Sequence, residues 1–285
     1  MRRDDDPSTS SPRPAMPDAP AVDDQGRRIA SELATLHAIM KRLRSDTGCP
    51  WDRAQSLASL RPYLIEETYE LLEAIDSGDL EHHREELGDL LFQAFFQAQI
   101  RDEEGAFDLG DAARAIATKL LRRHPHVFGD GDKKDSPEAV RVSWEQIKRD
   151  EKKGRRTLDG VPETLPSLLR AVRTGEKAAS VGFDWPDAPA VREKIHEELA
   201  ELDEALAAGD PTHAEAELGD LLFAVCQYAR HLRLSPEDAL RGCVNRFRQR
   251  FALVEDKATQ RGLVLTEMNI DGLEELWQQA KRDLA

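Results

Sequence analysis

The chain lacks most of what would tie it to a membrane, an oxidising compartment or a nucleic acid. It has only three cysteines, Cys49, Cys226 and Cys243, which form neither a CxxC pair nor an even set. That excludes a disulfide framework and suits reduced thiols in a cytoplasmic protein. No apolar run approaches the roughly 20 residues that span a bilayer. The first residues lack the apolar stretch of a secretory leader. Positive charge is in deficit, with 40 Lys and Arg against 55 Asp and Glu and a formal net charge of −15. A broad nucleic-acid surface needs the opposite balance, although a few local cations and a metal suffice for a nucleotide. Also missing are a Gly-rich phosphate loop, a Ser-His-Asp set on a nucleophile elbow, and any convincing strand.

What remains is helical periodicity, present twice. The 285 residues are enough for two domains with their own cores. Residues 1–28, rich in Pro, Asp, Ser and Arg, are read as a disordered tail. The expected organisation is a first helical domain over 29–150, a linker over 151–165, and a second helical domain over 166–285. In the first domain, helices are expected from Ile29, over 57–76 with an interruption near Pro62, over 80–104 with Leu87, Leu90, Leu91, Ala94, Phe95 and Ala98 inside, and over 108–123 and 137–152. Gly48 to Asp52 is expected to be a turn and 129–137 a loop. In the second domain the expected helices are 189–208, 212–232, 236–261 and 273–283. The fold class is all-α, two tandem helical bundles.

An acidic motif marks the repeat. Glu66, Glu67 and Glu70 are followed after fifteen residues by Glu86 and Asp89. Glu197, Glu198, Glu201, Glu217 and Asp220 repeat the pattern at a constant offset of 131 residues, as from Glu66 to Glu197. Five acidic positions kept in register point to a duplicated unit. At about 100° per residue, Leu64, Ile65, Thr68, Leu71, Leu72 and Ile75 form an apolar face, with Glu67 and Glu70 along one border. Glu86 and Asp89, three apart, share a face of the next helix. Ser77-Gly-Asp79 and Ala208-Gly-Asp210 are short turns that make the paired helices antiparallel, so four carboxylates converge. Such carboxylates repel one another unless a cation lies between them. Oxygen-only donors favour a hard ion, Mg²⁺ or Mn²⁺. Mg²⁺ commonly completes its shell with substrate phosphates, which implies a polyphosphate substrate.

Cations for the distal phosphates recur as well. Lys119 and Arg123 in the first half, and Arg246 and Arg250 in the second, stand one turn apart and suit phosphate oxygens or ordinary surface ion pairs. Trp144 with Lys148, and Trp277 with Lys281, place an aromatic one turn from a lysine. That spacing fits a base and a phosphate, or a core tryptophan beside a surface lysine. Lys194, one turn before Glu198, can reach a phosphate; its first-half counterpart is Tyr63. His124-Pro-His126 reads as a loop-packing element rather than a metal site.

Several motifs together resemble the MazG family of nucleoside triphosphate pyrophosphohydrolases. They are Gly48-Cys-Pro-Trp-Asp52, Glu66-Glu-Thr-Tyr-Glu70, Glu86-Leu-Gly-Asp-Leu-Leu-Phe92, Arg122-Arg-His-Pro-His-Val-Phe128, Trp144-Glu-Gln-Ile-Lys148, Val181-Gly-Phe-Asp-Trp185, Glu217-Leu-Gly-Asp-Leu-Leu-Phe223 and Trp277-Gln-Gln-Ala-Lys281. The resemblance runs from about residue 30 to the C-terminus. It implies all-α bundles completed by homodimerisation. It also implies Mg²⁺-dependent hydrolysis of NTPs and dNTPs to monophosphate and pyrophosphate, by water attack at the α-phosphorus, in the service of clearing nucleotide pools. Carried over by motif, the catalytic ligands are Glu198, Glu201, Glu217 and Asp220, mirrored by Glu67, Glu70, Glu86 and Asp89. Lys194, Arg246, Arg250, Trp277 and Lys281 would meet the nucleotide. Because Lys194 has no basic counterpart, the second half is expected to be the main site. The competing expectations are a narrower dUTP or dNTP hydrolase, and a non-catalytic nucleotide sensor or helical dimerisation scaffold.

Overall fold

Two glycine-aspartate turns set the architecture. In the computed structural model, which describes residues 16, 19–151, 154 and 156–284, Gly78 closes the helix Arg61–Ser77 (α3) in the left-handed region at φ 71°. Such a backbone favours glycine, which has no Cβ to clash. Asp79 then caps the next helix, Leu80–Glu103 (α4), accepting from the backbone N–H of Glu81 at 2.9 Å. Gly209 (φ 69°) and Asp210 repeat the device between Ala188–Ala208 (α9) and Pro211–His231 (α10). Asp210 accepts from Thr212 and His213, each at 3.1 Å. An N-cap of this kind is worth about 1 kcal/mol.

The chain divides into two units, Met1–Glu151 and Lys152–Ala285. Every regular element among the described residues is helical. The first unit also holds Asp24–Arg44 (α1), Pro50–Ala54 (α2), Leu109–Arg123 (α5), Pro125–Phe128 (α6) and Pro137–Glu151 (α7). The second adds Ser167–Ala179 (α8), Pro236–Gln260 (α11), a 3₁₀ turn at Leu265–Glu267, and Ile270–Asp283 (α12). In the first unit α4 packs on α3, α1 and α5. Its core gathers Met40, Leu60, Phe96 and Ile100, with Leu57 and Phe92 against them. Arg44 seals the α1–α4 contact, with its Nη2 2.7 Å from Glu103 and its guanidinium 5.4 Å from the Phe96 ring centre. In the second unit α10 packs on α9 and α8, and α11 on α12. Val254, Ala258, Leu276 and Ala280 are buried together.

Several boundaries differ from the sequence expectation. The helix expected from Ile29 starts at Asp24, because Asp23 caps it through the Gly26 N–H at 2.8 Å. Pro62 interrupts nothing. It sits in the first turn of α3, where its missing N–H leaves no bond unmade. The turn at Gly48–Asp52 runs into a short helix, α2. Helix α8 was not anticipated between the prolines and Gly182. Of the tail over 1–28, only Met16 and residues 19–28 belong to the described residues, as does most of the 151–165 stretch except Lys152, Lys153 and Arg155.

The apolar faces need the larger correction. Ile65, Thr68 and Ile75 on α3, and Leu87, Leu91 and Ala94 on α4, are exposed within their unit, whereas Phe95 and Ala98 are buried. The exposed positions recur at the same 131-residue offset, since Ile75, Leu87 and Leu91 correspond to Leu206, Leu218 and Leu222. Periodicity identifies an apolar stripe but not what covers it.

Helix α8 carries a glycine for a steric reason. A Cβ built at Gly175 would lie 1.8 Å from Oε1 of Gln227. Gln227 is fully buried and donates through Nε2 to the Ala171 carbonyl at 2.9 Å. Its Oε1 accepts from Arg230 Nε at 2.8 Å. Gly175→Ala must therefore push α8 away or break a buried polar pair. The expected cost is about 2 kcal/mol, read as a shift in the urea midpoint. A midpoint equal to wild type would show that α8 yields freely.

Candidate metal and nucleotide site

Each helix hairpin converts a sequence spacing into a cluster. Glu67 and Glu70 stand one turn apart on α3, and Glu86 approaches from α4. One carboxylate oxygen from each lies within 4.8 Å of the other two. Glu198 and Glu201 on α9 form the same set with Glu217 on α10. Asp89 and Asp220, one turn beyond Glu86 and Glu217, are exposed and outside these close sets. Asp89 is still the strongest like-charged neighbour of Glu67.

The electrostatics of both clusters are those of carboxylates that repel one another. Desolvation, then Asp89, Glu70, Glu86 and Glu66, push the Glu67 carboxyl above the ordinary glutamate value of 4.5. Desolvation and then the neighbouring carboxylates, Glu86 first, raise Glu70 as well. At Glu201 desolvation raises the value, Lys194 opposes it, and Glu198, Glu217 and Glu197 add to the rise. Such groups hold protons more tightly folded than unfolded. Their charging weakens the fold as pH rises from about 4.5 upward. Glu70→Gln, which removes one of the repelling charges, should be more stable than wild type at pH 7 in chelator. That advantage should shrink towards pH 4 and on adding Mg²⁺. Thermal melts at several pH values test this, and an advantage independent of pH would count against repulsion as its cause.

The donor set consists of oxygens at close range carrying mutually unfavourable charge. That fits a hard divalent cation, which would neutralise them together. A histidine, missed by the sequence reading, buttresses each set. His82 Nε2 lies 3.2 Å from Glu86, and His213 Nε2 lies 2.9 Å from Glu217. The signal was available, since both histidines stand one turn before the glutamate and 131 residues apart. In the second unit, Lys194 Nζ also lies 2.7 Å from Glu198 and 2.8 Å from Glu197. Glu198 is only 6% exposed.

The same hairpins are where known proteins match. The model of the MazG nucleotide pyrophosphohydrolase domain matches twice, over 55–128 and 188–253. A nucleoside triphosphate pyrophosphohydrolase of Escherichia coli K12 is 45% identical over 258 residues, covering 88% of this chain and 98% of the relative. The MazG nucleoside triphosphate pyrophosphohydrolase/pyrophosphatase of Thermotoga maritima is 47% identical over 248 residues, covering 86% and 94%. The chain belongs to the MazG family. A third relative, the nucleoside triphosphate pyrophosphohydrolase of Mycobacterium tuberculosis, is 39% identical over 161 residues, covering 56% of this chain and 47% of its own.

Within this MazG chain the proposed nucleotide contacts are placed unequally. Arg123 is buried, lies 2.6 Å from Glu151, and holds its guanidinium 5.3 Å from the centre of the Trp144 ring. Trp144 also meets His124 edge-on at 4.7 Å. Arg123 and Trp144 therefore form a packed group at the α5–α7 contact, and His124 joins it as loop packing. Lys119 is exposed, and the Lys148 side chain lies outside the described residues. In the second unit Arg246 and Lys281 are exposed and Arg250 is half-buried. Trp277 packs on the α11–α12 core with its ring 5.0 Å from Phe247.

The Gly182–Trp185 turn is pinned to α10. Arg230 Nη1 lies 3.0 Å from Asp184 Oδ2, and His231 Nε2 lies 3.1 Å from Oδ1. Burial would raise Asp184, but these two partners outweigh it and hold the carboxyl below its ordinary range. The sequence carries this segment as a motif but not its anchors, because the partners lie 46 and 47 positions away.

Proposed function

We propose that this protein hydrolyses NTPs and dNTPs to monophosphate and pyrophosphate with Mg²⁺ or Mn²⁺, and so clears nucleotide pools. The observation that carries the reading is the convergence of Glu198, Glu201 and Glu217 within 4.8 Å beside Lys194. The relatives' names supply the nucleotide class. When bound, the cation supplies Lewis-acid charge on phosphate oxygens and lowers the pKa of a coordinated water. The chain's own groups do the rest. Glu198, Glu201 and Glu217 would hold the cation, and Asp220 extends the acidic rim of α10. Lys194, and from α11 and α12 Arg246, Arg250 and Lys281, offset phosphate charge, while Trp277 offers a face for the base. Water attacks the α-phosphorus, its oxygen stays on the monophosphate, and the bond to the α,β-bridging oxygen breaks to release pyrophosphate. We assign the main site to the second unit and a weaker or structural one to Glu67, Glu70, Glu86 and Asp89, with Lys119, Arg123, Trp144 and Lys148 in that half.

We further propose a homodimer, supported by apolar stripes that the described residues of their own unit leave exposed. Leu218, Leu222 and Val225 follow α10, and Leu240, Val244, Phe247 and Phe251 follow α11. A solvated monomer rarely leaves so much aligned apolar surface. The three free cysteines support a cytoplasmic location. No helix among the described residues is long and apolar enough to cross a membrane.

Turnover of an NTP and dNTP panel tests the reading, with Mg²⁺ and then with EDTA, and with products resolved by chromatography. Metal-dependent monophosphate and pyrophosphate are expected. Release of orthophosphate and diphosphate would move the attack to another phosphorus. Nucleotide binding without turnover would make the protein a sensor.

A further inference from the structure

In the second unit the carboxylate cluster already holds a cation belonging to the chain. Lys194 Nζ lies 2.7 Å from Glu198 Oε1. Glu198 is also one of the three converging ligands and is almost fully buried. In the first unit the corresponding position is Tyr63, 131 residues earlier. Its ring packs edge-on against Trp51 at 5.9 Å and brings no charge. The rest of the cluster repeats, with three carboxylates within 4.8 Å and a histidine one turn before the third. The two sites thus differ at their centre by one tethered positive charge.

We infer that Lys194 is a resident counter-ion that keeps the second cluster poor in metal until nucleotide phosphates draw it away, whereas the first cluster takes metal without nucleotide. The inference rests on reading the clusters as divalent-metal sites. A dication arriving at Glu198 must displace the ammonium or share carboxylates with it, and like charges at that range repel. A triphosphate changes the balance by offering the ammonium a denser negative partner. The lysine stem is long and flexible, and its charge is a compact point, so it can leave Glu198 for a phosphate while staying on α9. Metal and nucleotide then arrive as coupled partners, each raising the affinity of the other by the same factor. Lys194 is in this respect a positioning residue for the metal as well as a phosphate contact.

The experiment uses the whole 285-residue chain carrying Glu70→Gln, which takes one of the three converging carboxylates from the first cluster in every variant compared. Mn²⁺ binding is followed by the electron paramagnetic resonance signal of free Mn²⁺. It is measured with and without a dNTP analogue bearing a methylene bridge between its α- and β-phosphorus. With Lys194 intact, binding should be weak alone and strengthened by the analogue. Lys194→Met should tighten nucleotide-free Mn²⁺ binding about tenfold and shrink the strengthening by the analogue. Lys194→Arg, which keeps the charge, should stay weak. Lys194→Gln serves in place of Met if the Met protein fails to fold, as judged by far-UV circular dichroism. Unchanged or weaker Mn²⁺ binding in the neutral variants overturns the inference. If the Glu70→Gln protein with Lys194 binds no Mn²⁺ even with the analogue, the metal reading of the second cluster fails as well. That outcome is distinct from loss of the coupling alone.

Discussion

Glu201→Ala should remove nearly all pyrophosphohydrolase turnover, about a hundredfold or more, while leaving the helical circular dichroism signal intact. Glu201 supplies one of three oxygens within 4.8 Å. Its carboxyl is raised by desolvation and by neighbouring carboxylates, with Lys194 opposing. The side chain therefore contributes little to the stability of the metal-free fold, and its loss relieves repulsion. A loss of activity with unchanged or raised melting temperature is the signature of a ligand rather than a packing residue. The corresponding change in the first cluster, Glu70→Ala, should cost far less turnover. The reverse ranking would move the main site to the first unit.

The second large effect concerns association. Leu222→Asp and Val244→Asp place a carboxylate in the two exposed stripes of the second unit, where the native side chains are 48% and 49% exposed. In an isolated chain neither change buries a charge, so monomer stability should barely move. In a dimer each would bury an unpaired charge in both copies, which costs several kcal/mol. Dimer affinity should therefore fall about a thousandfold or more, and sedimentation velocity at micromolar protein should show monomer. Variants that sediment like wild type would show that these stripes are not the interface.

These outcomes depend on parts of the molecule that were unequally readable in the sequence. The two hairpins were legible because glycine and aspartate at a helix junction have one dominant use, as a left-handed terminus followed by a cap. Once the turn was set, the side-chain periods carried Glu67, Glu70 and Glu86, and Glu198, Glu201 and Glu217, to one place. The repeated spacing and the family motif group Asp89 and Asp220 with them. They lie outside the close sets, because a further turn and a shorter side chain reduce their reach. Leu87 and Leu91 were expected inside, and periodicity could not distinguish a core from an uncovered face. For Arg123 the spacing leaves a phosphate contact and an ion pair equally open, and the structure shows the ion pair. Its partner Glu151 lies 28 positions away, a separation at which helical spacing is silent. Helix α8 is not legible in the sequence, with Gly175 near its centre, because the close approach of Gln227 that explains the glycine exists only in three dimensions.

The Gly-Asp turn also bears on how such a chain can change over time. Each carboxylate set is confined to a single hairpin of contiguous sequence, from Glu67 to Glu86 in one case and from Glu198 to Glu217 in the other. Duplication of that segment copies a whole site rather than dividing one. Either copy can then drift at a single position, as Tyr63 and Lys194 have diverged, without dismantling its sibling. Specialisation needs no new scaffold, only one altered neighbour beside a cluster already assembled.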